Sequence, residues 1–464
     1  MILLVVPRMF SLTRTPPLGL GYIAGALSAV GREVRLLDLN FSEDQRVLAA
    51  TLADPALEWV GLNNNVQNQS GAHSAAQMIR ELRPDAPIVL GGSWPTLFAE
   101  RALEQTGAFA AVLGESEETV VELAQALADG GDLEQVDGIV YRSAQGEPRR
   151  TAPRAAPDLA KLPWPRWDLI PPKRYSAIPW QAIRRGKVVT TLITGRGCPY
   201  NCTYCAASVV TGKRWRPRPM PDVLDELQML IDKHGVDELH ILDDNFIGSR
   251  DHAQAFCEGL IERKMQLHWK TPNGVRADAI DAELLALMRR SGCYMLGFGI
   301  ESGDPAVLRR NKKPLDLDAA RRAVELTREA GILTFGYFIL GLPGDNEQTI
   351  ERTVRWALDA PLDLANFSYC IPYPGCELFE GLDEQTKRNV ISRSYHFAPV
   401  QLSDVPLPRL RTLFRRAWLR FFLRFGPLTT VARFIRPVTA YALLRISFYY
   451  FGSKVRLPRT DDKN

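Results

Sequence analysis

Long uninterrupted apolar runs are missing from this sequence of 464 residues. The nearest approach, 431–451, is broken by Arg433, Arg436, Pro437 and Arg445. Three arginines in hydrocarbon would cost about 2.5–3.5 kcal/mol each, which excludes a spanning helix there and favours a surface-lying segment. Cysteine is scarce too: seven in so long a chain exclude a disulfide framework. No G-x-G-x-x-G follows the first apolar run, which argues against a dinucleotide site. That run, residues 1–6, has no basic stretch before it and ends at Pro7. It is too short for a secretory leader and reads as a buried strand, so a cytoplasmic protein is expected.

Acid is missing from the carboxyl-terminal region. From Arg409 to Thr460 there are 12 Lys or Arg and no Asp or Glu, whereas the remainder holds 45 basic residues against 53 acidic ones. The overall charge of +4 therefore comes from the tail alone. This distribution excludes a general nucleic-acid surface and points to a local anionic partner, such as the inner face of a membrane. The 46% hydrophobic and 24% charged composition is that of a globular protein with ample core.

Apolar strand-like runs alternate with helix-like segments over residues 1–140, and Gly or small polar residues cluster after the strands. Buried strands alternating with helices predict a parallel α/β sheet, with ligands at the strand carboxyl ends. Residues 141–186 are rich in Pro, Arg and Ala and predict an extended linker. A second α/β alternation, with about six strands, covers 187–400 and predicts a partial or full (β/α) barrel. Residues 401–464 form the basic tail. Within it Leu410, Leu413, Phe414, Ala417, Trp418, Phe421, Phe422 and Phe425 recur in steps of three and four among arginines. This stripe predicts an amphipathic helix from Arg409 to Arg424 lying on an anionic membrane surface. The competing reading is a helix packed on the barrel, its arginines reaching out to solvent.

Cys198, Cys202 and Cys205 stand in C-x3-C-x2-C spacing directly after the strand predicted at 188–194. Three thiolates on one loop can hold three irons of a cubane and leave the fourth iron open, whereas a structural zinc site normally takes four ligands. This loop resembles that of the radical S-adenosylmethionine (SAM) enzymes, with Tyr204 as the aromatic before the last cysteine. The resemblance covers most of 187–376. It implies a [4Fe-4S] cluster on the three cysteines, SAM on the open iron, and an external flavodoxin- or ferredoxin-like electron donor.

Other segments are similar to the family's SAM-side motifs. Asp243-Asp244 ends the second predicted strand; neighbours on a strand face opposite ways, so at most one points at SAM, and Asp244 is favoured over a capping role. Asn273 and Arg276 resemble the third-strand motif, with an ion pair to an acid such as Asp278 as the alternative for Arg276. Glu301 ends an apolar strand, where an uncompensated acid is costly, which favours a ligand role. Cys376 is expected to be a small buried residue rather than a substrate-side thiol.

Residues 1–140 resemble the cobalamin-binding domain fused to one radical SAM class, which includes methyltransferases, hopanoid methylases and the anaerobic bacteriochlorophyll ring cyclase. The similarity lies in Pro16–Ala24, with Leu18 and Gly19, and in Gly91-Gly92-Ser93-Trp94, with Asn63 and Gly114 at other strand ends. It implies cobalamin contacts from those residues; Trp94 either packs the cofactor or fills space. The Asp-x-His-x-x-Gly loop that many cobalamin domains use for the lower cobalt ligand is missing, and His73 stands outside any such pattern. Cobalamin without a histidine lower ligand is therefore expected.

The resemblance implies C-methylation of an unactivated carbon, and the basic tail adds a lipid, isoprenoid or tetrapyrrole-like hydrophobic substrate. Radical cyclisation or oxidation is the alternative chemistry. A SAM- or cobalamin-sensing adaptor is the non-enzymatic one.

Overall fold

The computed structural model describes residues 1–9, 15–176, 183–392, 400–424 and Thr429. The first half of the chain alternates β1 (Ile2–Val6), α1 (Leu18–Ala29), β2 (Val34–Asp38), α2 (Ser42–Leu52), β3 (Trp59–Asn63), α3 (Gln69–Leu82), β4 (Ile88–Gly91), α4 (Ser93–Thr106), β5 (Ala110–Val112) and α5 (Glu117–Asp129). Two further strands, β6 (Ile139–Arg142) and β7 (Pro148–Arg150), follow. They form one sheet in the order β2-β1-β3-β4-β5-β6-β7. The first five strands are parallel, and β6 and β7 add antiparallel at one edge. The central strands are almost wholly buried because helices cover both faces, which is why they read as unbroken apolar runs.

After α6 (Pro172–Ser176) come β8 (Val189–Leu192), β9 (Gly195–Arg196), α7 (Ala207–Thr211), β10 (Arg216–Pro217), α8 (Met220–His234), β11 (Glu238–Ile241), α9 (Arg250–Glu262), β12 (His268–Val275) and α10 (Ala282–Arg290). The chain continues through β13 (Cys293–Glu301), α11 (Pro305–Arg310), α12 (Leu317–Glu329), β14 (Leu333–Leu340), α13 (Glu347–Asp359), β15 (Leu364–Tyr369), α14 (Glu377–Glu380), α15 (Glu384–Ser392) and α16 (Leu407–Phe422). Six strands form an all-parallel sheet, β15-β14-β13-β12-β11-β8, the wall of a partial barrel. β9 and β10 form a separate antiparallel ribbon that brackets residues 197–215.

The connection between the two sheets is a packed strap. The Trp164 indole donates to Asp222 at 2.7 Å and that of Trp167 to Glu226 at 2.7 Å, both acids on α8. Arg218 pairs with Glu226 at 2.6 Å and donates to the Tyr22 hydroxyl of α1 at 3.2 Å. A Cβ at Gly25 would lie 2.3 Å from the Trp164 carbonyl oxygen, and one at Gly21 would lie 2.6 Å from Ile170 Cδ1. These two glycines of α1 make room for the strap.

The tail differs from the membrane-surface expectation. On α16, Leu410, Phe414, Ala417 and Phe421 are buried. Phe414 stacks on Tyr369 of β15 with ring centroids 4.3 Å apart, and Phe421 packs against Phe367. Arg409 pairs with Glu347 and Arg420 with Glu351, both on α13. The buried residues of the stripe, Leu410, Phe414, Ala417 and Phe421, are thus used on the barrel. The segment 431–451 lies outside the described residues, among which no helix is long and apolar enough to cross a membrane.

Candidate active site

The loops at the carboxyl ends of β1, β3, β4 and β5 meet the β9–β10 ribbon around a cavity of about 570 Å³. Leu18, Gly19, Asn63, Gly91, Gly92, Ser93 and Gly114 all line it, as expected from the sequence. Gly19 and Gly114 have no atom within 4 Å of where a Cβ would project. Gly92 has φ +117°, and a Cβ there would lie 2.7 Å from the Asn64 carbonyl oxygen, so the β4–α4 turn needs glycine. Asn63 accepts from the Asn65 and Asn68 amides at 3.1 and 2.9 Å, and these three polar side chains share the cavity wall.

Trp94 is a correction. It is fully buried, its indole donates to Gln105 at 3.1 Å, and it does not line the cavity. It fills the core under α4. His73 is exposed, with Nδ1 2.5 Å from the Gln105 carbonyl, and no histidine is among the described residues lining the cavity.

Sequence reasoning missed the acids and the arginine that close the opposite wall. Arg196 lies 2.8 Å from Glu115 and 2.7 Å from Glu117 with all three side chains under 10% exposed, and Arg216 pairs with Glu115 as well. Glu117 lines the cavity and keeps Oε2 buried with no hydrogen-bond partner among the described residues. The only sequence signal was a charged residue inside the glycine-rich Gly195-Arg196-Gly197 segment.

The cysteine loop hangs from the same ribbon. Gly197 has φ +93°, and a Cβ there would meet the Arg214 carbonyl oxygen at 2.2 Å, so the loop is pressed against the segment returning to β10. Cys198 and Cys202 are half-buried and Cys205 is exposed. Burial raises the Cys198 thiol. Among the described residues no three metal-ligating side chains already converge. Tyr204 packs beside Val307, Leu342 and Cys370. Cys257, Cys293, Cys370 and Cys376 are buried in the core.

The two aspartates after β11 diverge. Asp243 accepts from the Thr194 amide at 2.7 Å and its hydroxyl at 2.6 Å, and burial pushes it up to about 7. Asp244 accepts from Thr211 at 2.8 Å and lines the shared cavity. The Asn273 amide donates to the Leu242 carbonyl at 2.7 Å. Arg276 donates to the Pro314 carbonyl at 2.8 Å, with its guanidinium 4.1 Å over the Tyr200 ring. Glu301 sits at a register shift between β13 and β14 with φ +66°, a conformation rare outside glycine. Burial raises its pKa, and Lys313, 3.7 Å away, opposes that rise.

Two α/β units thus share one cavity, with a three-cysteine loop on its barrel side, and this defines the class as a two-domain enzyme of radical type. Residues 192–357 match the radical SAM superfamily and residues 11–124 the B12 binding domain. Cytidylyl-2-hydroxyethylphosphonate methyltransferase of Streptomyces wedmorensis is 30% identical over 78% of this chain and 77% of its own. Anaerobic magnesium-protoporphyrin IX monomethyl ester cyclase of Rubrivivax gelatinosus is 28% identical over 88% and 75%. The solved radical SAM methyltransferase TsrM from Kitasatospora setae, with cobalamin and a [4Fe-4S] cluster bound, shares the fold: TM-score 0.69 and 23% identity over 81% of this chain and 73% of that one. The chain belongs to the cobalamin-binding-domain-containing radical SAM enzymes. The cofactors of that family are a [4Fe-4S] cluster, SAM and cobalamin.

The residues present fit these groups. The loop offers three thiols and no fourth, the donor set of a cluster with one open iron. The large cavity is edged by glycines with open space before them, and the unpaired Glu117 oxygen is an acceptor for amide donors such as those a corrin carries.

Proposed function

We propose that this enzyme is a C-methyltransferase acting on a carbon that lacks an acidic proton. The observation that carries the reading is the shared cavity: one chamber reaches from Gly19 and Asn63 in the first domain to Thr211 and Asp244 beside the cysteine loop. The bound groups supply a methyl carrier and, from reductively cleaved SAM, a hydrogen-abstracting radical. Cys198, Cys202 and Cys205 hold the cluster. Asp244, Asn273, Arg276 and Glu301 place SAM against it, Asp244 as acceptor for an ammonium group. Glu301 is preset by its bulged backbone, with Lys313 holding the side chain in place. Gly19, Asn63, Gly91, Gly92, Ser93 and Gly114 would seat cobalamin, in a wall that carries the Asn63–Asn65–Asn68 set and no histidine among the described residues. Methylation is favoured over cyclisation by the 30% identical phosphonate methyltransferase relative. The buried residues of α16 are used on the barrel, so they lend no support to a lipid, isoprenoid or tetrapyrrole-like substrate or to a membrane address.

Anaerobic reconstitution is expected to give about four irons and four sulfides per chain. Replacing any one of the three cysteines by Ala should abolish SAM cleavage without unfolding the protein. Turnover with SAM labelled in its methyl group, followed by mass analysis of cell extracts, identifies the product. Stoichiometric zinc with no iron uptake, or full activity with no cobalamin retained, would overturn the proposal.

A further inference from the structure

A second, open cleft of about 400 Å³ borders the cysteine loop, and none of its lining residues lines the larger cavity. Pro199, Tyr200 and Asn201 form one wall; Arg309, Lys312, Lys313 and Pro314 form the other. Arg309-Arg310-Asn311-Lys312-Lys313 places four cations in five residues, of which Arg309, Arg310 and Lys312 are exposed. Arg276 bridges the walls through its contacts with Tyr200 and Pro314. Among the described residues, the carboxylates paired with the lining lysines are Glu301 on Lys313 and Glu377 on Lys312, the latter at 2.5 Å with both side chains more than half exposed. The cleft therefore keeps a positive surplus.

This basic turn is fixed to the cysteine loop. Lys312 has φ +54°, an uncommon conformation for a side chain with a Cβ, and its neighbour Asn311 over-determines it. The buried Asn311 amide donates to the carbonyls of Val307 at 2.8 Å and Pro343 at 3.0 Å. Its Oδ1 accepts from the Thr203 hydroxyl at 3.0 Å, and its backbone carbonyl accepts from the Thr203 amide at 3.1 Å. Thr203 follows Cys202 directly. Whatever seats on Arg309 and Lys312 is held at a set distance from the cysteines.

We propose that this cleft docks the protein that reduces the cluster, a small acidic one-electron carrier. The inference rests on the cluster assignment above. In the step it serves, the carrier loses one electron and the cluster gains one, with no bond made or broken. The cleft is walled by Pro199, Tyr200 and Asn201, the residues between Cys198 and Cys202, so a carrier seated in it stands beside the loop itself. A positive surplus there complements an acidic carrier, and such complementarity acts chiefly on encounter rate and salt dependence.

The test uses the holoenzyme carrying Arg309→Glu and Lys312→Glu together, reduced either by photoreduced flavodoxin or by methyl viologen, a small cationic reductant. The readout is the rate of cluster reduction by electron paramagnetic resonance, with 5′-deoxyadenosine formed from SAM as a second measure. Flavodoxin-driven reduction is expected to fall about 10-fold or more at low salt and to lose its salt dependence, while viologen-driven reduction is unchanged. Arg309→Lys with Lys312→Arg should restore most of the flavodoxin rate. An unchanged flavodoxin rate overturns the proposal, as does an equal loss with both reductants, which would make the cleft a small-anion or structural site. Failure of the wild-type chain to take up iron, read before any carrier is added, overturns the cluster assignment instead.

Discussion

Arg196 and Glu117 lie 2.7 Å apart in an interior that both domains share, one two residues before Cys198 and the other opening α5. With Glu115 and Arg216 they make a buried set of two positive and two negative charges. The cysteine loop is thereby anchored to the first domain through electrostatics.

Removing Arg196 leaves Glu117 buried without its partner, while Glu115 keeps Arg216. Arg196→Met should lower stability by about 3–5 kcal/mol, read from the urea midpoint. Glu117→Gln in the same background should recover part of that loss. The single variant should also retain less iron after gel filtration, although Arg196 ligates nothing.

Two glycines of α1 should respond in opposite ways to the same added methyl group. Gly25→Ala collides with the backbone of the strap at Trp164 and should cost about 1–3 kcal/mol. Gly19→Ala meets nothing within 4 Å and gains helix propensity of up to about 1 kcal/mol. Its methyl group enters the cavity, so cobalamin retained per chain should fall while thermal stability holds or rises.

Phe414→Ala empties a site that is 1% exposed beneath α16 and should cost about 3–5 kcal/mol. Arg415→Gln and Arg416→Gln, at exposed positions of the same helix, should each stay within about 0.5 kcal/mol of wild type. A helix resting on lipid would reverse that order in a liposome flotation assay.

A buried polar cluster sits at the amino-terminal ends of the barrel strands. Glu238 lies 2.7 Å from His240 and accepts from the Tyr294 hydroxyl at 2.6 Å. Lys270, whose charge also bears on the pair, donates to the Ile183 carbonyl at 2.5 Å. Burial, helped by the charges of Lys270 and Arg184, pushes His240 down from 6.5 to about 4 despite Glu238. The unfolded chain then binds more protons between those values, so stability rises with pH across that window and falls on acidification. Glu238, held down at about 2 against its burial by His240 and Lys270, acts in the same direction from about 4.5 downward. Asp243, pushed up to about 7, acts in the opposite sense over the same window, so the contribution is read by difference: the urea midpoint of wild type relative to His240→Gln should fall as the pH is lowered from about 6.5 to about 4.

Sequence alone carried the alternation of strands and helices, because parallel strands buried on both faces are unbroken apolar runs such as Ile2–Val6. It also carried the cysteine loop and the Gly91–Gly92 turn, where local spacing holds the information. β7 is invisible in the sequence: Pro148–Arg150 is a wholly exposed edge strand with no apolar period, inside the stretch whose composition predicts a linker. Trp94 follows the cavity-lining Gly92 and Ser93, yet the first turn of α4 carries its ring into the core. The Arg196–Glu117 pair joins residues 79 apart in the chain, beyond any local pattern. The stripe on α16 announced a helix and its apolar face, but periodicity is the same whether that face meets lipid or a barrel.

The strap through Trp164 and Trp167 also bears on how such enzymes can be recombined. Its indoles answer to acids on α8, and its backbone answers to Gly21 and Gly25 on α1, so three separate stretches must match one another. A chimera that exchanged the first domain with a junction inside the strap would set a foreign helix surface against Trp164. A workable exchange therefore takes α1, the strap and α8 from one parent, with the seam beyond α8.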